Sequence, residues 1–460
     1  MKILFSVLLL YINIICFSQN EATTILSNYI KFRSVSGNEK PAAQYIENVC
    51  RQEGFYISVF SNTDSSYNFC ASLLPLEKKL PSVILLNHVD VVPAQDSANW
   101  SFPPYNGTIN NDTIYGRGAI DMKGLAVMQI MTLKKIKETL NTDSLKNNII
   151  ILFLSGEETG GGNGGAKVIE PKILNQLNPL VVLGEGGGGF NNVIPGKPNE
   201  LCFFVSNAEK KSIWLKLEAK VKTNGHSSVR LNKTAHKILL KAINRIESTE
   251  EKIFIDKSTK QTFKQLGKLI GGYKGFVVKH ISWWIFKPLR KKVINSNEGL
   301  KVLVTNSYQL TQIQNPLTGP VNQVAQSAIA YYDCRLLPNK SEKPILLKLM
   351  FRILDPRIKL TIVDESPTAE PTKLNTTHYN NIKKAVQTVF PTANVVPVLF
   401  PATTDNSYFR SVNIPAFGIL PYQLNNEMIE SVHASNEKLP IKALIDGVNV
   451  YVEFLKNYYK

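Results

Sequence analysis

Over the first half of the chain, unbroken apolar runs alternate with apolar positions at helical spacing. "SVILLNHVDVV", "NIIILFLS" and "PLVVLGE" carry consecutive apolar residues, the pattern of strands covered on both faces. Between the first two, "GLAVMQIMTLKKIKETL" sets Leu133, Ile136 and Leu140 three to four residues apart and predicts a helix. Residues 20–206 therefore predict an α/β fold with a mainly parallel sheet. In such sheets the chemistry gathers beyond the carboxyl ends of the strands. His88, Glu157 and Glu185 all stand at such ends.

The pattern changes after residue 207. "SIWLKLEAKV", "SYQLTQIQ", "SAIAYYDCRLL" and "KLTIVDES" read as strands, with helices at "TAHKILLKAINRIES" and "KPILLKLMFRIL". The order β-α-β-β-α-β is the split arrangement of ferredoxin-like (α+β) domains. A basic, aromatic stretch at about 251–300, containing Trp283 and Trp284, interrupts it. From 366 to 460 the α/β pattern resumes, with "PVLFPATTDNSYF" and "IPAFGILP" as strand-like pieces. The expected organisation is one domain over 20–206 and 366–460, with a second domain inserted at 207–365.

The first nineteen residues stand apart. Lys2, an apolar stretch to Phe17 and then Ser18 read as a secretory signal peptide, too short for a stable membrane span. The expectation is an exported protein, periplasmic or secreted, with no integral membrane segment once residues 1–19 are removed. The hydrophobic content of 43% and charged content of 19% are those of a globular protein. Cys50, Cys70, Cys202 and Cys334 are scattered, so neither a zinc ribbon nor a dense disulfide framework is indicated. A formal charge of +17 raises an anionic partner. Ten Lys/Arg within 256–300 face only Asp256 and Glu298. No nucleic-acid motif accompanies them, so nucleic acid is not an expected partner.

Five places carry candidate chemistry. His88 and Asp90, two apart on a strand, point to the same side, either as a metal ligand with its orienting acid or as a hydrogen-bonded couple. Asp121 sits in the glycine-rich "YGRGAIDMKG", where a simple helix cap is the alternative. Glu157 and Glu158 adjoin at a strand end, where two carboxylates repel unless cations hold them. Glu185 follows a third apolar run, among glycines. His433 lies in "SVHASNEKLP". The glycine cluster "GGGNGGAKV" lacks the ending of a phosphate-binding loop. Imidazoles and carboxylates are donors that zinc accepts, and two metals can share one carboxylate.

His88-x-Asp90, "GRGAIDMKG", "GEE" at 156–158, Glu185 and His433, in that order, resemble the co-catalytic zinc metallopeptidase family of aminoacylases, glutamate carboxypeptidase, acetylornithine deacetylase and carboxypeptidase S. The resemblance spans nearly all of the chain beyond residue 20. It implies two zinc ions, with cobalt or manganese as alternatives. His88 and Glu185 would bind one and Glu158 and His433 the other, bridged by Asp121. It implies that Asp90 accepts a hydrogen bond from the His88 ring and that Glu157 is the general base. In "NGHSS", His226 would polarise the scissile carbonyl. Asn322 and Arg335 would hold the substrate's carboxylate; residues 20–206 and 366–460 would be the catalytic domain, and 207–365 a lid that allows a homodimer. Ser407 stands where this family often has arginine, and Arg410 is the nearest alternative.

The reading is an exported zinc-dependent hydrolase that cleaves an amide or peptide bond next to a free carboxylate. Its expected substrates are small peptides or N-acyl amino acids. The alternatives are an aminopeptidase or dipeptidase on the same fold, or a non-catalytic protein that binds anionic surfaces. For Trp283 and Trp284 the choices are packing in the lid core or covering the substrate entrance.

Overall fold

A computed structural model describes residues 20–459 except 65, 96, 142–143, 160–163, 223–230, 249–251, 317–321 and 339–341. The expected signal segment 1–19 and His226 lie outside the described residues. The chain forms two compact units. The first runs to Asn207 and includes Thr372–Val398 and Thr404–Lys460; the second comprises Ala208–Pro371 and Leu399–Thr403.

In chain order the strands are β1 (Tyr56–Asn62), β2 (Tyr67–Ser72), β3 (Ser82–His88), β4 (Thr108–Asn110), β5 (Thr113–Tyr115), β6 (Asn148–Leu154), β7 (Pro179–Gly184), β8 (Gly187–Phe190) and β9 (Cys202–Glu209). They continue as β10 (Lys211–Lys220), β11 (Ser307–Gln314), β12 (Ser327–Leu336), β13 (Ile358–Glu365), β14 (Asn394–Phe400), β15 (Ala416–Gly418), β16 (Gln423–Leu424) and β17 (Lys438–Pro440). Among the described residues, the main sheet has the order β1-β2-β6-β3-β7-β15-β9-β8-β16, with β14 on β9.

The parallel run is the centre of this sheet, β6-β3-β7-β15. Its flanks are antiparallel at β1–β2, β2–β6, β15–β9 and β9–β8. The short link from Asn62 to Tyr67 permits only a hairpin, whereas parallel neighbours need a long crossover. The apolar runs follow from burial on both faces. Val83, Leu85, Ile149, Ile151 and Phe153 enter one core, and Ile84, Leu86, Ile150, Leu152 and Leu154 the other. Successive side chains alternate across a strand, so two cores require an apolar residue at every position. The helices Lys123–Thr139 and Ile441–Leu455 cover the first face. Strand β14 ends at Phe400, and Asn406–Ser411 is a helix where an extended piece was expected.

The second unit holds an antiparallel sheet of order β11-β12-β10-β13, the ferredoxin-like arrangement. Ile213, Leu215, Leu217 and Ala219 alternate onto a core shared with Ile238, Leu239 and Ala242 of helix Ala235–Glu247 and Leu349 of helix Glu342–Ile353. The basic stretch forms four α-helices among the described residues, Lys257–Ile270, Gly272–Lys279, Lys287–Asn295 and Glu298–Val302, with a 3-10 turn at Trp284–Phe286. A capping box between Asp256 and Thr259 starts the first. No described helix is long and apolar enough to cross a membrane. Cys50, Cys70, Cys202 and Cys334 are buried and form no disulfide with one another.

Candidate functional site

Three ligand-bearing segments leave the same edge of the parallel centre. His88 is the last residue of β3 and pairs in register with Leu154 of β6. Ser155–Glu158 follow β6, and Glu185 follows β7. Gly156 turns the chain with φ of +83°, a conformation that glycine adopts without steric cost. Behind Glu185, a Cβ on Gly418 would lie 2.2 Å from the Glu185 carbonyl oxygen, so a larger residue there would displace the ligand's backbone. Asn406 Nδ2 donates to that same carbonyl at 2.9 Å. Asp121 arrives just before helix Lys123–Thr139, and His433, with φ of +60°, just after helix Asn426–Ser431.

The two oxygens of Asp121 face different imidazoles. Oδ1 lies 3.0 Å from His88 Nε2, and Oδ2 lies 3.0 Å from His433 Nε2. Glu185 Oε1 is 4.0 Å from His88 Nε2, and Glu158 Oε2 is 3.3 Å from His433 Nε2. The donors thus divide into two sets that share Asp121. Potential ligand atoms of His88, Asp121 and Glu158, and again of His88, Glu157 and Glu185, lie within 4.8 Å of one another. Glu157 is therefore beside the donors, not set apart by distance.

This arrangement fits a divalent cation pair. His88 Nδ1 lies 2.9 Å from the backbone carbonyl of Asp90, and a carbonyl can only accept. In the neutral ring the proton then sits on Nδ1, and Nε2 turns a lone pair toward the Asp121 carboxylate. Two acceptors 3.0 Å apart need a cation between them, a place that a metal ion or a second ring proton fills. Glu158 Oε1 is buried and has no hydrogen-bond partner among the described residues, which is costly unless a cation meets it. Burial and mutual repulsion raise the Glu157, Glu158 and Glu185 carboxyls above their usual range, with Glu185 acting on Glu157 and Asp121 on both others. Asp121 and then Glu158 hold His433 protonated, up to about 10. Burial and like-charge crowding together cause the carboxyl shifts, and the neighbouring carboxylates cause that of His433.

Asp90 faces the His88 ring with its backbone and its carboxylate at different distances. The backbone carbonyl is the nearer acceptor for Nδ1, and the carboxylate Oδ1 lies 3.6 Å from it. The carboxylate accepts from the amides of Gly156, Glu157 and Glu158 at 3.0, 3.1 and 3.0 Å and from Ser36 Oγ at 2.7 Å. It moulds the loop that carries the two glutamates.

Two further residues escaped the sequence reading. Glu437, fully buried, meets Arg117 Nη1 at 2.7 Å and accepts from the amides of Gly118, Ile120 and Asp121. Arg117 Nη2 also donates to the Ala434 carbonyl at 2.9 Å, beside His433. The glycine-rich turn and "NEKLP" were both quoted for their ligands; the pairing of their charged residues spans 320 positions and has no local signature.

In the second unit, Arg335 donates to Asp333 Oδ2 from Nε and Nη2 and to Thr403 Oγ1 from Nη1. Near it is Lys210, only 1% exposed, whose ammonium has no hydrogen-bond partner among the described residues. Burial, and then the charge of Arg335, push its pKa down to about 8. Asn322 is exposed in a turn. Ser407 Oγ donates to the Thr404 carbonyl, and buried Arg410 donates through Nε to the Ala416 carbonyl, so Arg410 helps to hold β15 in place.

The mouse N-fatty-acyl-amino acid synthase/hydrolase PM20D1 is 26% identical over 399 residues, covering 85% of this chain and 77% of the relative. Probable carboxypeptidase S-like 2 of Dictyostelium discoideum is 26% identical over 404 residues, covering 86% and 75%. Among solved structures, the M20 family metallo-carboxypeptidase Sso-CP2 from Sulfolobus solfataricus superposes with a TM-score of 0.70 at 21% identity, covering 95% of this chain and 99% of that one. The profile of peptidase family M20/M25/M40 matches residues 84–457. The chain belongs to this family of metallopeptidases and amidohydrolases, enzymes that act on amide bonds.

Proposed function

We propose that the protein is an exported di-zinc amidohydrolase that cleaves an amide next to a free carboxylate, acting on N-acyl amino acids or small peptides. The observation that carries this reading is the division of the Asp121 oxygens between His88 and His433. His88, Asp121 and Glu185 would hold one ion, and His433, Asp121 and Glu158 the other. Bound there, the ions would supply Lewis-acid chemistry to the scissile carbonyl and the attacking water. Glu157, beside the donors, takes the proton that water gives up as its oxygen attacks the carbonyl carbon. The C–N bond then breaks, and Glu157 returns the proton to the leaving amine.

Arg335 suits a carboxylate because its planar fork can donate two parallel hydrogen bonds, and Lys210 adds a second cation close by. Asn322 and His226 are assigned to carboxylate binding and carbonyl polarisation by family resemblance. Export rests on the character of residues 1–19, and a homodimer through the second unit rests on resemblance alone. The names of the mouse and Dictyostelium relatives favour a substrate with a free carboxylate over one recognised by its amine.

Metal analysis with a hydrolysis panel tests the proposal. Two equivalents of zinc and preference for N-acyl amino acids over free-amine amides are expected. Asp121→Ala should lose both ions and hydrolysis; one retained equivalent with near-normal turnover would refute the bridge. Glu157→Gln should keep the metals and lose roughly 10²–10⁴-fold in kcat, the weight of one acid–base group. Loss of metal in Glu157→Gln but not in Glu158→Gln would exchange the two roles.

A further inference from the structure

The basic insertion presents a concentrated apolar surface to solvent. Trp284 is 85% exposed, Tyr273 74%, Ile285 49%, Phe276 48%, Trp283 45% and Leu289 40%. All six lie on two short helices, Gly272–Lys279 and Lys287–Asn295, or on the turn between them. Between 257 and 297 the chain carries ten Lys/Arg and no acidic residue; Lys274, Lys287 and Lys292 are exposed among the apolar groups. An exposed apolar group of this size marks an interaction surface rather than ordinary surface scatter.

The turn is built to hold its shape. Arg290 donates through Nε to the Ile281 carbonyl at 2.9 Å, and through Nη2 to those of Ser282 and Trp283 at 3.0 and 3.2 Å. Trp283 packs against His280, with ring centroids 4.1 Å apart, and against Phe276 and Phe286. Trp283 therefore anchors the turn and Trp284 projects from it.

We infer that this surface docks on an anionic phospholipid bilayer, with Trp284, Tyr273 and Ile285 entering the headgroup layer and the lysines meeting lipid phosphates. Charge complementarity selects the partner. A second copy would bring two clusters of ten cations together. A polynucleotide would satisfy the cations but would leave Ile285 and Leu289 without the apolar environment that interfacial lipid offers. Tryptophan and tyrosine favour the membrane–water boundary because each ring has an apolar body and a polar tip. Lysines can lie along apolar surface and keep their ammonium groups at the phosphates. A basic patch and an apolar anchor acting together make stable but salt-sensitive attachment.

Vesicle co-sedimentation of the full enzyme tests this, using phosphatidylcholine alone and phosphatidylcholine mixed with phosphatidylglycerol. Binding to the mixed vesicles only, weakened by added salt, is expected. Brominated acyl chains should quench part of the tryptophan fluorescence of the wild type, and Trp284→Ala should remove that part and lower binding several-fold. The pair Lys287→Glu and Lys292→Glu should lower binding about tenfold or more. Turnover of a soluble N-acyl amino acid should be unchanged in all of these variants. Equal binding to both vesicle types, absence of quenching in the wild type, or binding untouched by Trp284→Ala would overturn the inference. Binding to single-stranded RNA that outcompetes the mixed vesicles would do so as well.

Discussion

Asp90 and Glu437 solve one structural problem with opposite electrostatics. Both are completely buried carboxylates, and each accepts three backbone amides from a loop that carries candidate metal ligands. Around Asp90 the other donor is the neutral hydroxyl of Ser36, and the nearest cation-forming group is His88. Burial pushes Asp90 up, but the His88 imidazole, Ser36 and the Glu158 amide more than offset it, and the carboxyl ends below its usual range. Glu437 has a full guanidinium at 2.7 Å. Burial still outweighs Arg117 and the amides there, and its carboxyl ends above the usual range. A set of well-directed dipoles and a single buried ion pair can thus mould equivalent loops. Their failure modes differ, because only the ion pair leaves a stranded charge when one member is removed.

The largest expected effect is on stability, at Glu437. Glu437→Gln keeps the shape but leaves Arg117 buried without a counter-charge, which should cost about 3–5 kcal/mol in urea unfolding. Adding Arg117→Met should recover part of that loss, read as a coupling energy in a double-mutant cycle. A Glu437→Gln protein as stable as wild type would end the contrast with Asp90.

Asp90→Asn strands no cation, so the fold should survive with a smaller loss. The amide cannot accept from all three loop N–H groups and Ser36 together, so the loop bearing Glu157 and Glu158 loosens. Metal affinity should fall roughly 10–100-fold, as when a ligand's supporting partner is lost, measured by competition with a chelator. Severe unfolding with intact metal affinity in the residual folded fraction would reverse the assignment.

Glu39 sharpens the comparison from the side of Asp90. Burial raises its carboxyl to about 7, with the charge of Asp90 adding to the rise and the Gly37 amide opposing it. The folded state binds this proton more tightly than the unfolded chain does. The resulting stability is complete below pH 4.5 and is lost as pH rises through about 7. Glu39→Gln should therefore stabilise the protein by about 1–2 kcal/mol at pH 8 and change little near pH 4. An equal gain at both pH values would show that Glu39 is not titrating in this window.

Lys210 extends the contrast to a buried cation without a hydrogen-bond partner among the described residues. Its charge is present below about pH 8 and is lost above it. If it helps to hold a substrate carboxylate, kcat/KM for N-acyl amino acids should fall roughly three- to tenfold on that alkaline limb. Lys210→Met should start at the lower value and show no limb near pH 8. A limb that persists in Lys210→Met belongs to another group.

The α/β class was legible because burial on both faces writes consecutive apolar residues into β3, β6 and β7, and helical period writes itself into Lys123–Thr139. The ferredoxin-like order was legible in the second unit for a related reason, since β10 is buried on alternate residues only. The antiparallel flanks were not, because a strand's apolar pattern carries burial but not direction. The helices of the basic stretch were also missed: short apolar faces among lysines give a weak period, and the capping box at Asp256 was the available signal. In the centre, the residue types and strand-end positions of His88, Glu157 and Glu185 were local facts of the sequence. The approach of Asp121 to both histidines was not local, and neither was the distance of Asp90's carbonyl and carboxylate from the His88 ring.

The sequence by itself determined where apolar strands end and which donors stand there, because periodicity and residue chemistry act over a few neighbouring positions. Tertiary structure alone decided which buried charges meet. Arg117 and Glu437 are 320 residues apart, and a buried charge is tolerable only where the folded chain delivers a partner or a full set of dipoles to it.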